Sequence, residues 1–190
     1  PNMTSAGLFY INGERLMVRG GGFASDLFLR TRNIPISFKR HVQLVQLLGL
    51  NTIRLEGQFV DDALFQHANE YGVLIIPGLV CCDAWQHWKL WEQEQIEVAM
   101  DSVRSQIKRL RIHPSSFFFL LSSDELPPVK IERLYLNVLR KERWPNPFMN
   151  SAGSWVSSIS GQSGAKMTGP YAWVPPNYWT NPVAKKSYGG

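Results

Sequence analysis

An α/β fold made of successive parallel βα units is what this 190-residue sequence predicts. Three observations carry the prediction. Short apolar runs closed by turn residues alternate with stretches of helical periodicity. The connections between them are brief, as where strands lie side by side under packed helices. The acids that stand out fall just after apolar runs, where parallel α/β proteins keep their chemistry. This length supports one sizeable core, and the chain is read as a single domain over residues 1–190.

The elements follow in order. Phe9 to Ile11, Asn12-Gly13 and Arg15 to Arg19 read as a hairpin, because Asn-Gly is the preferred type I′ turn pair. Gly20-Gly21-Gly22 lacks the Lys and Ser/Thr of a phosphate loop, so a bulge or close backbone approach at a strand end is expected. Asp26 follows in the next loop. Ser37 to Leu48 reads as a helix, with Ser37 as cap and Val42, Leu44, Val45, Leu47 and Leu48 as its apolar face. Asn51 to Leu55 is a strand with Glu56-Gly57 at its end. Asp61 or Asp62 caps a second helix that stops at Gly72.

Val73 to Ile76 is the next strand, closed by Pro77-Gly78. The loop from Leu79 to Trp91 holds Cys81, Cys82, Asp83, Trp85, Trp88 and Trp91. Glu92 to Arg111 repeats apolar residues at three- and four-residue steps, so a long helix is expected until His113-Pro114. Ser116 to Leu121 is a buried strand, and Val129 to Glu142 a helix. Phe148 to Ser151 is a further strand. Small residues follow, then the aromatic segment Gly169 to Trp179. Five strands are legible, with a sixth near Lys166 to Gly169. A (β/α)8 TIM barrel needs eight, so the fold expected is a partial barrel of roughly its first five or six βα units. A doubly wound sheet would need a Gly-rich dinucleotide loop, which GGGFAS does not match. The chain begins at Pro1 and closes on KKSYGG with no capping element, and both ends read as cut.

Composition narrows the function. The net charge of +5 is spread among acids with no basic run, which argues against nucleic acid as a partner. The two Cys are neighbours, which supports neither a disulfide framework nor zinc spacing. No apolar run approaches the roughly 18 residues of a membrane span. Nothing calls for a metal or an organic cofactor. The 7 Trp suit a ring-binding cleft, and equally a core.

The sharpest feature is Phe117 to Pro128, FFFLLSSDELPP, where an apolar strand opens onto Asp124 and Glu125. Two readings stand side by side. The acids carry chemistry at a strand mouth, or they cap the helix that follows. On a strand-like path Asp124 and Glu125 point to opposite sides.

Several motifs occur in a specific order: RGGG at Arg19, LGLNTIRLEG at Leu48, CCDAW at Cys81, HPS at His113, Ser123-Asp124, then GPY at Gly169 and VPPNYW at Val174. Together they resemble the catalytic barrel of glycoside hydrolase family 2, in the branch of exo-β-D-glucosaminidases that act on chitosan. The resemblance covers about Leu8 to Gly190. It implies that Asp124, eleven residues after His113, is the general acid/base of a retaining hydrolase. Such an enzyme needs a second carboxylate about 5–5.5 Å away as nucleophile. The resemblance places that Glu beyond Gly190, so this piece alone is expected to be inactive. An apolar strand and a negative neighbour would favour the protonated acid.

The resemblance also implies that Glu56 meets the substrate amine, which selects glucosamine over its N-acetyl form; the alternative is a structural Glu bonded to Arg54 or to a loop N–H. Asp83, Trp85, Tyr171, Trp173, Tyr178 and Trp179 are the remaining substrate-binding candidates. The implied partner is a glucosamine-containing oligosaccharide, and the family suggests secretion. Two positions depart from the branch: Val80 stands where an acid commonly precedes the Cys pair, and Ala172 where GPYDW has Asp. A β-mannosidase-type family 2 hydrolase, including the endo-acting kind that trims glycoproteins, and a non-catalytic carbohydrate-binding remnant are the alternatives.

Overall fold

The computed structural model describes residues 2–3, 8–23, 35–56, 58–79, 83–166 and 173–183, with Asn2, Pro35, Ile36 and Asp83 described by their backbone alone. Asn12 and Gly13 make the first turn, with φ of 52° and 85°. That positive φ pair is what the twist of a two-residue hairpin requires. It joins β2 (Phe9–Ile11) to β3 (Glu14–Leu16), and β1 (Asn2–Met3) pairs antiparallel with β2.

The parallel strands begin with the glycine run. β4 (Gly20–Phe23) lies beside β5 (Thr52–Leu55), which lies beside β6 (Leu74–Ile76), both pairs parallel. The expected close approach is present at Gly20, where a Cβ would lie 2.3 Å from the Thr52 carbonyl oxygen. The run is itself a strand, however, and not only the end of one. A glycine run carries no side-chain periodicity from which that could be read.

β7 (Phe119–Leu120) pairs in parallel with β8 (Phe148–Met149). Bridges Ile75↔Ser116 and Gly78↔Leu120 join β7 to β6. The spatial order is therefore β4-β5-β6-β7-β8, the chain order. Between the two bridges the β7 side has one residue more than the β6 side, a bulge of one residue. The bulge explains why Phe117 and Phe118, adjacent in sequence, enter the same cluster.

Four helices alternate with these strands: α1 (Pro35–Leu47), α2 (Asp62–Tyr71), α3 (Gln93–Leu110) and α4 (Val129–Lys141). Asp61 caps α2 by accepting from the Ala63 N–H, and Gly72 ends it at φ 68°. The Gln95 side chain accepts from the Glu92 N–H at the start of α3. α1 departs from expectation. It begins at Pro35, a residue suited to a first turn. Phe38 and Val42 turn inward, while Leu44, Leu47 and Leu48 stay exposed.

Strand alternation then sorts the core. Ile53, Leu55, Ile75, Phe119 and Leu121 join the helices in one cluster. Ile76, Phe118, Leu120 and Met149 form a second cluster with Phe9 of the hairpin. Phe117, Phe118 and Phe119 are each 1% exposed or less, and burying such a ring contributes about 1.5–3 kcal/mol. This buried strand holds the chain still just before Ser122.

Two features lay outside the sequence reading. β9 (Val156–Ser157) and β10 (Gly161–Gln162) form a small hairpin after β8, and α5 (Asn177–Thr180) is a single turn in the aromatic segment. The described chain is thus mixed α/β with parallel βα units. No described helix is long and apolar enough to cross a membrane.

Candidate active site

The C-terminal ends of β5 and β7 are joined by Arg54. Its chain lies on the face opposite the helices, with the side chain only 10% exposed. One guanidinium nitrogen donates to Ser123 Oγ at 2.6 Å, and the other to Glu56 Oε1 at 3.4 Å. Because β6 lies between β5 and β7, this arginine reaches across an intervening strand, a span of about 10 Å in a flat sheet. It fastens the mouth that bears Glu56 to the mouth that bears Asp124.

Asp124 is held from several sides. Its N–H and that of Glu125 both donate to Gln86 Oε1, at 3.0 and 2.7 Å, and Ser122 Oγ donates to the same oxygen at 3.0 Å. Gln86 comes from a 3₁₀ turn over Asp83–Gln86 and is itself buried. On the other side the Trp155 indole N–H donates to the Asp124 carbonyl at 2.6 Å. A Cβ at Gly153 would lie 2.5 Å from that carbonyl oxygen, so the 150s can approach only with glycine there. The Asp124 carboxylate, one-third exposed, pairs with Lys166 Nζ.

These positions exclude the capping reading of the acids. α4 starts at Val129 with Pro128 in the cap position, so neither Asp124 nor Glu125 caps it. Both acids line one cleft of about 820 Å³ with Gln86, His87, Trp88 and Leu90. Glu125 is the more exposed. The charged side chain paired with Asp124 is the positive Lys166, whereas a negative neighbour is what would favour the protonated acid.

Other candidates are distributed unevenly. Glu56 is half-exposed and ion-paired with Arg54. Trp85 is half-buried, edge-on to Trp91 at 6.3 Å. Trp173 and Trp179 are exposed, 83% and 59%, so neither ring is packed into a wall by the described residues. Tyr178 is buried with its ring 4.9 Å from Trp179. Asp26, Cys81, Cys82 and Tyr171, and the expected strand beyond Lys166, lie outside the described residues. Among the described residues no three His, Cys, Asp or Glu are grouped to hold a metal.

Among the described residues, burial displaces two titrating groups, His113 and Tyr135. Burial lowers His113, opposed by Asp62 and aided by Arg109. Burial raises the Tyr135 hydroxyl well above its ordinary range, opposed by the Trp88 indole.

The sequence names Arg54 only as a structural partner for Glu56, a pairing the structure contains, and does not single out Gln86, Trp155 or Lys166. Arg54 alone carried a signal, an arginine inside an otherwise apolar strand pattern, which must find partners when buried.

Comparison with known proteins adds the chemistry of relatives. No family model matches the chain. It is 42% identical over 185 residues to an exo-β-D-glucosaminidase of Streptomyces avermitilis, covering 94% of this chain and 20% of that protein. A solved complex of the Amycolatopsis orientalis exo-chitosanase with PNP-β-D-glucosamine superposes with a TM-score of 0.86 at 37% identity, over 95% of this chain and 22% of that one. A family 2 glycosyl hydrolase from Bacteroides cellulosilyticus shares the fold, with a TM-score of 0.61 at 17% identity, over 78% of this chain and 20% of that one. The chain spans about a fifth of the length of the curated relatives it matches.

Proposed function

We propose that these residues are part of the catalytic barrel of a retaining exo-β-D-glucosaminidase, which removes glucosamine from the non-reducing ends of chitosan and its oligosaccharides. The observation that carries the proposal is the Arg54 bridge, which gathers Glu56 and Ser123-Asp124 at one end of the parallel strands. The identity to exo-β-D-glucosaminidases across nearly all of this chain gives that cluster its chemical meaning. Five parallel strands in chain order, with an inner arginine spanning two of them, suit the first arc of a (β/α)8 barrel.

In this reading Asp124 protonates the glycosidic oxygen as the bond to the anomeric carbon breaks. A second carboxylate attacks that carbon, and Asp124 then takes a proton from the water that releases the sugar. None of these 190 residues is assigned as that nucleophile. Glu56 receives the substrate ammonium. It stays half-exposed in its pair with Arg54, so an incoming cation can reach it. Asp83, Trp85, Tyr171, Trp173, Tyr178 and Trp179 are the candidates for the sugar-contacting wall.

Val80 and Ala172 favour a second reading, in which a family 2 relative has changed its sugar. One assay of the intact protein separates the two. Hydrolysis of PNP-β-D-glucosaminide with little action on the mannoside is expected, and Glu56→Gln should remove most of that preference. Preferred hydrolysis of the mannoside would replace the proposal with a β-mannosidase-type activity. No turnover of either sugar would leave a carbohydrate-binding role.

A further inference from the structure

Glu132 is a buried acid that the proposed reaction does not use. It lies on α4 at 1% exposure. Among the described residues no lysine, arginine or histidine pairs with it. Its carboxylate accepts instead from two hydroxyls of the β9–β10 hairpin, Ser157 Oγ at 2.7 Å and Ser160 Oγ. Ser157 Oγ also accepts from the N–H groups of Ile159 and Ser160, at 3.0 and 3.3 Å. Asn150, at the end of β8, donates to Ser160 Oγ at 2.9 Å and to the Gly161 carbonyl at 3.2 Å. Burying a carboxylate without a cation is costly unless hydrogen bonds replace its water. Here the replacement bonds all come from one short turn.

The hairpin delivers Trp155. The Trp155 N–H donates to Ser163 Oγ, which in turn donates to the Gly153 carbonyl at 2.9 Å. The Ser163 N–H donates back to the Trp155 carbonyl at 2.9 Å. With its backbone fixed on both sides, Trp155 aims its indole N–H at the Asp124 carbonyl. Gln86 holds the N–H side of the same residue. The Asp124 peptide is therefore clamped between the 83–86 turn and the hairpin, with Glu132 as the hairpin's buried anchor.

We propose that Glu132 and Trp155 are positioning residues for Asp124, acting through the β9–β10 hairpin to hold its carboxyl where the leaving oxygen will be. The inference rests on Asp124 being the acid/base. A geometric error of about 1 Å at a reacting group can cost on the order of a hundredfold in rate. Proton donation matters only for leaving groups that need it. Misplacing Asp124 therefore has a signature that loss of folded protein lacks.

The test uses the intact protein and two substrates, the β-1,4-linked glucosamine disaccharide and 2,4-dinitrophenyl β-D-glucosaminide. The second expels a stable anion without a proton. Trp155→Phe keeps the ring and removes the N–H, and Glu132→Gln keeps the shape and removes the charge. Both are expected to lower kcat on the disaccharide about tenfold or more, to change KM little, and to leave the first chemical step on the dinitrophenyl substrate, read as its burst rate, nearly intact. Asp124→Asn is the control and should show the same selectivity more strongly. Equal losses on both substrates, or none, in Trp155→Phe would overturn the inference even if Glu132→Gln fails to fold. An Asp124→Asn control with no such selectivity would overturn the acid/base reading, and this inference with it.

Discussion

At the N-terminal ends of the parallel strands, Asn69 links His113 and Ser115; at the C-terminal ends, Arg54, Ser123, Asp124 and Lys166 make the links. In the first group His113 and Ser115 are buried, Asn69 is exposed, and the contacts among them are hydrogen bonds without an ion pair. Ser115 donates its N–H to Asn69 Oδ1 at 2.9 Å, and Asn69 Nδ2 lies 3.3 Å from His113 Nδ1. These contacts pin α2 to the start of β7. In the second group the carboxylates of Asp124 and Glu56 are one-third and one-half exposed, each opposite a cation. A neutral hydrogen-bonded network fixes geometry, while half-exposed charges remain within reach of a ligand. On the proposed reading, one strand therefore carries a structural end and a chemical end. The sequence motifs at its two ends, His113-Pro114-Ser115 and Ser123-Asp124, do different work.

Substitutions at the two ends should separate these roles. Among substitutions of the residues that tie these ends together, Arg54→Met is expected to have the largest effect, lowering kcat/KM of the intact protein by about a hundredfold through misplaced strand mouths. It should also cost about 1–3 kcal/mol in denaturant unfolding, because the Ser123 hydroxyl and the guanidinium's other contacts go unpaired. Glu56→Gln should lower kcat/KM for glucosaminides by about tenfold to a hundredfold, the worth of a charge-assisted hydrogen bond. Its stability should change by less than about 1 kcal/mol, since the pair it breaks is half-exposed. Asn69→Ala should do the reverse, costing about 1–3 kcal/mol of stability while kcat is unchanged.

The smallest effect is that of pH on the structural end. His113 is lowered in the fold from an ordinary value of 6.5. The unfolded chain then binds the proton more readily, so stability rises with pH across this window. The contribution is complete above 6.5 and is lost as pH falls through 6.5 toward the folded value. Denaturation midpoints at about pH 8 and about pH 5.5 should differ in that direction, and His113→Gln should reduce the difference.

The local signals in the sequence were read well. Asn12-Gly13, Asp61 and Gly72 each determine the backbone beside them, so the turn, cap and stop appear where those residues stand. The apolar run at Phe117 also needed no partner to be read as buried. What was missed depends on partners far along the chain. Gln86 meets Asp124 from 38 residues away, and Trp155 from 31. Neither has a local pattern that announces the meeting. The β9–β10 hairpin is four strand residues long and mostly polar, too short for alternation to show. Glu132 occupies an apolar face of α4 as a charged residue. Like Arg54 in its apolar strand, that is a legible anomaly whose meaning waits on the partners that meet it, here the serines.

The most direct test of the chemical end is a pair of variants in the intact protein, Asp124→Asn and Glu125→Gln, assayed on the β-1,4-linked glucosamine disaccharide. Both acids line the same cleft, yet only Asp124 is clamped by Gln86, Trp155 and Lys166 together. Asp124→Asn is expected to lower kcat by about a hundredfold to ten-thousandfold, the range of general acid catalysis, while Glu125→Gln retains most of the activity. Near-normal kcat in Asp124→Asn, or the larger loss in Glu125→Gln, would contradict the assignment.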